Sequence, residues 1–474
     1  MKRNFIIFIL LSFFLLVIIS TSLFAEVKVP AIFGDNMVLQ QQTDAAIWGE
    51  TSPNKTVKVT TSWNRKSYST RADAQGNWKV KVQTPAAGGP YSVTISDGKV
   101  LRLKNVLIGE VWICSGQSNM QMPMRGYFNQ PVLNSNQDIA TSANHSIRLF
   151  TVKREKSLTR QKDFTGEWLE CVPENVADFS AVAYYFGRMI QQTLKVPVGL
   201  ICSAWGGTRI EPWISENGFE NFDWVILPDK NGTSDFSPQT PTVLFNKMIA
   251  PMVGYALRGA LWYQGESNRN EPAHYEKLMP GLIKNWRTEW QIGDFPFYYC
   301  QIAPFDYGPS GINSAYLREA QLKASTVLPN IGMACLMDVG EEHCIHPANK
   351  KVAGERLAYL ALAQTYGRKG FEYSGPVLKD ITIEGPVVKL RFAHANNGLT
   401  TFGKELTHFT VAGENKRFVP AKAFITRQGI TVFSPVVAKP VAVRYAFDNF
   451  VVGELFNTEG LPASSFRTDE WGIK

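Results

Sequence analysis

Residues 111–120 read Val111-Trp112-Ile113-Cys114-Ser115-Gly116-Gln117-Ser118-Asn119-Met120, an apolar run that breaks at a glycine and presents a serine two places later. A strand that is apolar at every position has both faces covered, which is the signature of a parallel sheet with helices on each side. Similar runs recur at 198–202, 260–263, 297–302 and 333–337. Between them, Val182, Phe186, Met189 and Ile190 follow the i, i+4, i+7, i+8 spacing of one helix face, and 315–325 is also helical in character. From about Val106 to Gly367 the pattern therefore predicts an α/β domain.

Outward from this centre the pattern changes. Upstream, Thr56-Val57-Lys58-Val59-Thr60, Trp78-Lys79-Val80-Lys81-Val82 and Tyr91-Ser92-Val93-Thr94-Ile95 alternate at the strand period and are separated by turn residues such as Asp97-Gly98. This predicts a small β-sandwich over 26–105. Downstream, Val387-Val388-Lys389-Leu390-Arg391-Phe392 and Ile430-Thr431-Val432-Phe433 predict a C-terminal β domain over 369–474, leaving 106–368 as the central domain. A chain of 474 residues is long enough for such a division.

The first 25 residues have a different purpose. Lys2-Arg3, an apolar stretch over 5–19 and a small residue at Ala25 form a signal-peptide layout. Cleavage after Ala25 is expected, which makes the protein periplasmic or secreted, with no stable membrane insertion thereafter; the alternative is an uncleaved anchor, since 5–25 nearly spans a bilayer. Two charges of the net +8 belong to this segment and the rest form no basic run, so a nucleic-acid partner is not expected. The six cysteines include no C-x-x-C pair, which argues against a zinc or redox motif.

Ligands of open parallel sheets bind beyond the carboxyl ends of the strands. Four loops there carry chemistry. Ser118 follows the first strand, as either a nucleophile or a helix cap; position 120 is Met, so the G-x-S-x-G elbow is not matched. Gly206-Gly207 follows the second and suits a backbone N–H aimed at a ligand. Gln264 follows the third and could donate to an oxyanion. The fourth loop holds Asp338, Glu341, Glu342, His343 and His346. A serine hydroxyl needs a base, and His346, before Pro347 and a helix buried through Ala353, Leu357, Leu360 and Ala361, is placed to be one. The alternatives are exposed loop histidines, or a metal pair with Glu341 and Glu342.

Gly109-Glu110-Val111-Trp112 leading into Gly116-Gln117-Ser118-Asn119-Met120 resembles the opening block of the sialate O-acetylesterase family. Trp262-Tyr263-Gln264-Gly265-Glu266-Ser267-Asn268 resembles its middle block. Leu317-Arg318-Glu319-Ala320-Gln321 and Ile345-His346-Pro347-Ala348-Asn349-Lys350 resemble its later ones. The resemblance implies a flavodoxin-like, SGNH-type α/β/α hydrolase domain and a serine mechanism with no metal or other cofactor. Ser118 is then the nucleophile and His346 the base, and the oxyanion hole combines the Ser118 N–H, a Gly206 or Gly207 N–H and the Gln264 side chain. It also implies an O-acetylated sugar or glycan as substrate, with sialic acids first and acetylated xylan as the alternative. SGNH enzymes commonly place Asp three residues before the histidine, but that position here is His343. Asp338 is the substitute expected to orient His346, with Glu341, Glu342 or a backbone carbonyl as alternatives. A non-catalytic carbohydrate-binding protein is the remaining reading, allowed by the flanking β domains and 12 tryptophans.

Overall fold

A computed structural model describes residues 26–231 and 236–472. The expected signal segment lies outside the described residues. Among those residues, no helix is long and apolar enough to cross a membrane.

The strands up to the end of the central sheet are β1 (Val38–Gln40), β2 (Asp44–Glu50), β3 (Thr56–Thr61), β4 (Ser67–Arg71), β5 (Asn77–Gln83), β6 (Gly88–Ser96), β7 (Val100–Gly116), β8 (Asn144–Thr151), β9 (Trp168–Cys171), β10 (Val198–Ala204), β11 (Gly259–Tyr263), β12 (Phe297–Cys300) and β13 (Ile331–Ala334). The helices that matter to the site are α1 (Ser118–Gln121), α2 (Ala181–Leu194), α3 (Pro272–Trp290), α4 (Ala315–Ala324) and α5 (Lys350–Leu360). The central sheet runs β13-β12-β11-β7-β10-β8-β9. All its neighbours are parallel except β9, which closes one edge antiparallel to β8. Setting aside the β8–β9 edge, chain order across the sheet is 2-1-3-4-5, the flavodoxin-like order, with β7 at the switch point. The expected α/β/α architecture is therefore present.

Alternate side chains of β7 enter opposite layers. Val111 and Ile113 join the apolar core that contains Leu278, Leu282 and Trp286 of α3, whereas Trp112 and Cys114 join the one that contains Val182 and Phe186 of α2 and Leu357 of α5. Burial on both sides explains why the sequence shows an unbroken apolar run here.

The sequence suggested a short strand after a boundary at Val106. The structure instead has one strand of 17 residues running through that position. Its first part pairs antiparallel with β6, from Ser96↔Val100 to Gly88↔Ile108, and parallel with β1. Its last part pairs with β10 and β11. The first regime ends at Gly109 and the second begins at Glu110; upstream of that handover Asn105 has a left-handed φ of 53°, next to shifts in the β6–β7 register. An asparagine tolerates that backbone, and the irregularity bends the strand from one sheet into the next. The N-terminal side chains Ile47, Val57, Val59 and Ile95 belong to the same apolar core as α3.

The C-terminal unit contains two four-stranded antiparallel sheets, built around Val387–Ala393 and Phe409–Ala412. Its core includes Cys335 and Met337 from the loop after β13. Arg318 of α4, fully buried, donates to Ser465 Oγ at 3.1 Å and to the Asp448 carbonyl, which ties this unit to the central layer. All six cysteines are unpaired.

Glu110, at the middle of β7, is buried and collects donors from three directions. Gln41 Nε2 donates at 2.6 Å, Arg258 Nε at 2.6 Å and the Tyr366 hydroxyl at 2.8 Å. Glu110→Ala leaves these donors, including a charged one, without their acceptor. We expect a loss of about 3 kcal/mol of stability, read as a lower midpoint of chemical denaturation; an unchanged midpoint would contradict this role.

Candidate active site

The end of β7 is shaped by close backbone approach. Gly116 has a φ of 136°, and a Cβ there would stand 2.1 Å from the Tyr263 carbonyl oxygen of β11. Only glycine fits. The Gln117 N–H donates to that same carbonyl at 3.0 Å, and the Trp205 N–H donates to the Gly116 carbonyl at 3.0 Å. Gln117 Oε1 accepts from the Gly265 and Ser267 N–H groups, each at 3.3 Å. The loops after β7, β10 and β11 are thus stitched together around Ser118, the first residue of α1.

The second loop meets Ser118 directly: a Cβ on Gly206 would lie 3.2 Å from Ser118 Cβ. The Gly206 N–H itself is engaged, donating to Gln121 Oε1 at 2.6 Å. Among the described residues, the N–H groups of Ser118 and Gly207 carry no such bond. Gln264 differs from expectation. It is fully buried, and its Nε2 donates to the Thr208 carbonyl at 3.2 Å and to Asn268 Oδ1 at 2.7 Å. Asn268 is held in that orientation because its Oδ1 also accepts from the Ile210 N–H while its Nδ2 donates to Glu211. Both Gln264 N–H bonds therefore shape the second loop, and neither is free for an oxyanion.

His346 approaches from the fourth loop. The helix begins at Lys350, capped by Asn349 Oδ1 accepting from the Val352 N–H, so Pro347 precedes it rather than opening it. His346 Nδ1 lies 2.6 Å from Gln130 Oε1. An amide oxygen only accepts, so Nδ1 carries the hydrogen and Nε2 carries the lone pair. The Tyr127 ring meets the imidazole edge-on at 5.3 Å, and its hydroxyl donates to the Ser118 carbonyl at 3.2 Å. Tyr127 and Gln130 share one tight turn, in which each N–H donates to the other's carbonyl. Gly126 makes that turn possible, since a Cβ there would stand 2.4 Å from the Gln130 carbonyl oxygen. Burial, and next the Lys350 ammonium, pull His346 down to about 4, so the imidazole is neutral at pH 7.

The expected orienting acid is elsewhere. Asp338 forms a two-pronged ion pair with Arg356, at 2.6 and 2.7 Å, which fastens its loop to α5. Glu341 accepts from the Ala348 N–H at 2.6 Å. His343 is exposed beside Glu342, so the two histidines face different partners. Gln130 takes the place expected for Asp338. It sits in an irregular loop with no periodicity or family block to single it out.

A second polar group lies behind the serine. Asn119 Nδ2 donates to Glu266 Oε1 at 2.6 Å and to the Ile345 carbonyl at 3.1 Å, and Asn119 Oδ1 accepts from Lys350 Nζ at 2.5 Å. Asn119, Glu266 and Lys350 are all buried. Each stands in one of the family blocks, beside Ser118, Gln264 or His346, whose chemistry is the more conspicuous in the sequence.

A family model for carbohydrate esterases of the sialic acid-specific acetylesterase type matches residues 108–363. Sialate O-acetylesterase of Mus musculus is 30% identical over 88% of this chain and 89% of its own length. That of Pongo abelii is 32% identical over 74% of this chain and 73% of its own. The crystal structure of a carbohydrate acetylesterase from Xanthomonas citri superimposes with a TM-score of 0.86 at 35% identity, covering 94% of this chain and all of that one.

The roles of Gln130 and Asp338 separate cleanly. Gln130→Ala frees the imidazole to rotate, and we expect kcat for an acetyl ester to fall by about 10- to 100-fold with the fold intact. Asp338→Asn weakens the Arg356 pair, so the melting temperature drops while kcat holds. Steady-state kinetics with melting curves decide this, and the reverse pattern would restore Asp338 as the orienting group.

Proposed function

The chain belongs to the carbohydrate esterase family of sialic acid-specific acetylesterases, and from that premise we propose that it removes O-acetyl groups from sialic acids, with Ser118 as nucleophile and His346 as base. The chain is a carboxylic ester hydrolase acting on acetylated sugars. The observation that carries the finer reading is the His346–Gln130 bond, which leaves a neutral imidazole with an unprotonated Nε2, in a loop that Asn119 and Tyr127 join to the Ser118 segment.

In this mechanism Ser118 Oγ attacks the acetyl carbonyl carbon and His346 Nε2 takes the hydroxyl proton. Among the described residues neither Ser118 Oγ nor His346 Nε2 has a hydrogen-bond partner, and such contacts tighten when the ester binds. The developing oxyanion is met by the Ser118 and Gly207 N–H groups, each worth roughly 3 kcal/mol of barrier. His346 then gives its proton to the departing sugar oxygen. Water, deprotonated by the same imidazole, hydrolyses the acetyl-serine and releases acetate. Asp338 has no part in these steps, and Gln264 acts only by shaping the loop that carries Gly207.

The sialic-acid assignment rests on the named relatives, whereas the Xanthomonas relative is described more broadly as a carbohydrate acetylesterase. The Lys2-Arg3 start and the apolar residues after it support an exported enzyme.

Acetate release from O-acetylated sialic acids and from acetylated xylan, with Ser118→Ala alongside, tests the proposal. We expect the sialic acids to be preferred and Ser118→Ala to be inactive. Preference for xylan would move the substrate assignment, and an active Ser118→Ala would overturn the nucleophile. A base titrating near 4 is lost only as pH falls through that value, so kcat/KM should hold between pH 7 and 5 and decline below; a decline centred at the ordinary histidine value of about 6.5 would contradict the buried, neutral imidazole.

A further inference from the structure

The Asn119 side chain joins three segments that are far apart in sequence. Its own residue follows Ser118, Glu266 lies beyond β11, and Lys350 opens α5 after the histidine loop. Its amide cannot be turned over. An ammonium only donates, so Oδ1 must face Lys350 Nζ. A carboxylate and a carbonyl only accept, so Nδ2 must face Glu266 and Ile345. Ile345 is the residue before His346, so the amide clamps the base's own backbone to the nucleophile's helix.

The clamp is costly to hold. An ammonium buried at 1% exposure loses most of its hydration, and Glu266 Oε2 is buried with no hydrogen-bond partner among the described residues. Burial pulls Lys350 down to about 8, opposed by the Glu266 carboxylate, so the amine stays mainly charged at neutral pH. Leucine or methionine would fill the same space without that penalty, so what the lysine adds is direction and charge.

We propose that Lys350 is a positioning residue for ester hydrolysis: through Asn119 it fixes the His346 loop against the nucleophile's helix. The groups facing His346 are Tyr127 and Gln130 from the tight turn, Cys344, whose Sγ donates to the His346 carbonyl, and Lys350 from α5. Lys350 is the charged one among them. Arg154 acts on the Tyr127 hydroxyl, and Glu341 and Glu266 act on Lys350. The inference rests on Ser118 and His346 as the reacting pair.

The test uses the full chain with a chromogenic acetate, and follows His346 titration separately by NMR, which needs no substrate. In Lys350→Gln an amide donor to Asn119 is retained but the charge is gone. We expect kcat at neutral pH to hold within a few-fold in Lys350→Gln and to fall by about 100-fold, with KM unchanged, in Lys350→Met, which removes the donor as well. The acid limb of kcat/KM and the imidazole titration should both move up toward the ordinary histidine value. Asn119→Ala removes the clamp and keeps the charge, so kcat falls and the acid limb stays. Circular dichroism checks that each variant folds, and Asn119→Ala carries the test of the clamp if Lys350→Met does not. In Lys350→Met a parental kcat, or a fall in kcat with an unmoved titration, overturns the proposal, the second result reducing Lys350 to packing. The NMR arm keeps the role of Lys350 separable from the function: an active Ser118→Ala would defeat the esterase mechanism without altering what the His346 titration says about Lys350.

Discussion

Strand β7 is bound along its length by two different sheets, and nearly every other feature of the molecule follows from that constraint. Its first part satisfies its backbone against β6 and β1, its last part against β10 and β11. A strand held this way cannot slide, because a one-residue slip would exchange Trp112 and Cys114 for Val111 and Ile113 between two packed cores. The buried Glu110 carboxylate adds a polar lock at its midpoint, drawing in Gln41, Arg258 and Tyr366. Ser118 stands two residues beyond the end of this fixed rod, so its position is inherited from the scaffold rather than set by a mobile loop.

His346 is placed by different means. It lies 12 residues past the end of β13, so its position comes from side chains: Gln130 on the ring, Tyr127 across the ring edge and Asn119 on the preceding carbonyl. Each of these contacts starts from a segment that follows β7. A neutral amide on Nδ1 selects a tautomer without adding negative charge. Burial and a nearby ammonium then favour the uncharged ring, which differs from an arrangement in which a carboxylate raises the basicity of the imidazole.

Much of this was legible in the sequence, and the failures share a cause. The parallel sheet was readable because strands covered on both faces lose their alternation, and the face of α2 because Val182, Phe186 and Ile190 repeat at helical spacing. That the loops carrying Ser118 and His346 meet was readable from their places after strand ends. The true length of β7 was hidden because its two parts obey different patterns, alternating up to Asn105 and continuous after it, and a change of pattern resembles a boundary. Asp338 looked like an orienting acid by its place in the chain, but Arg356, one helix later, claims both of its oxygens. Gln130 and the orientation of Gln264 depend on contacts between loops, which leave no local periodicity.

The continuity of β7 also bears on how such chains can be recombined. Composition suggests that the N-terminal β unit is a module that ends near residue 105, and a chimera designed on that view would join two parents inside a single hydrogen-bonded strand. The bend at Asn105 would then come from one parent and the sheet it must enter from the other. The Asp97-Gly98 turn between β6 and β7 is the better seam, because a crossover there keeps the whole strand, its bend and Glu110 in one parental piece with the serine they support.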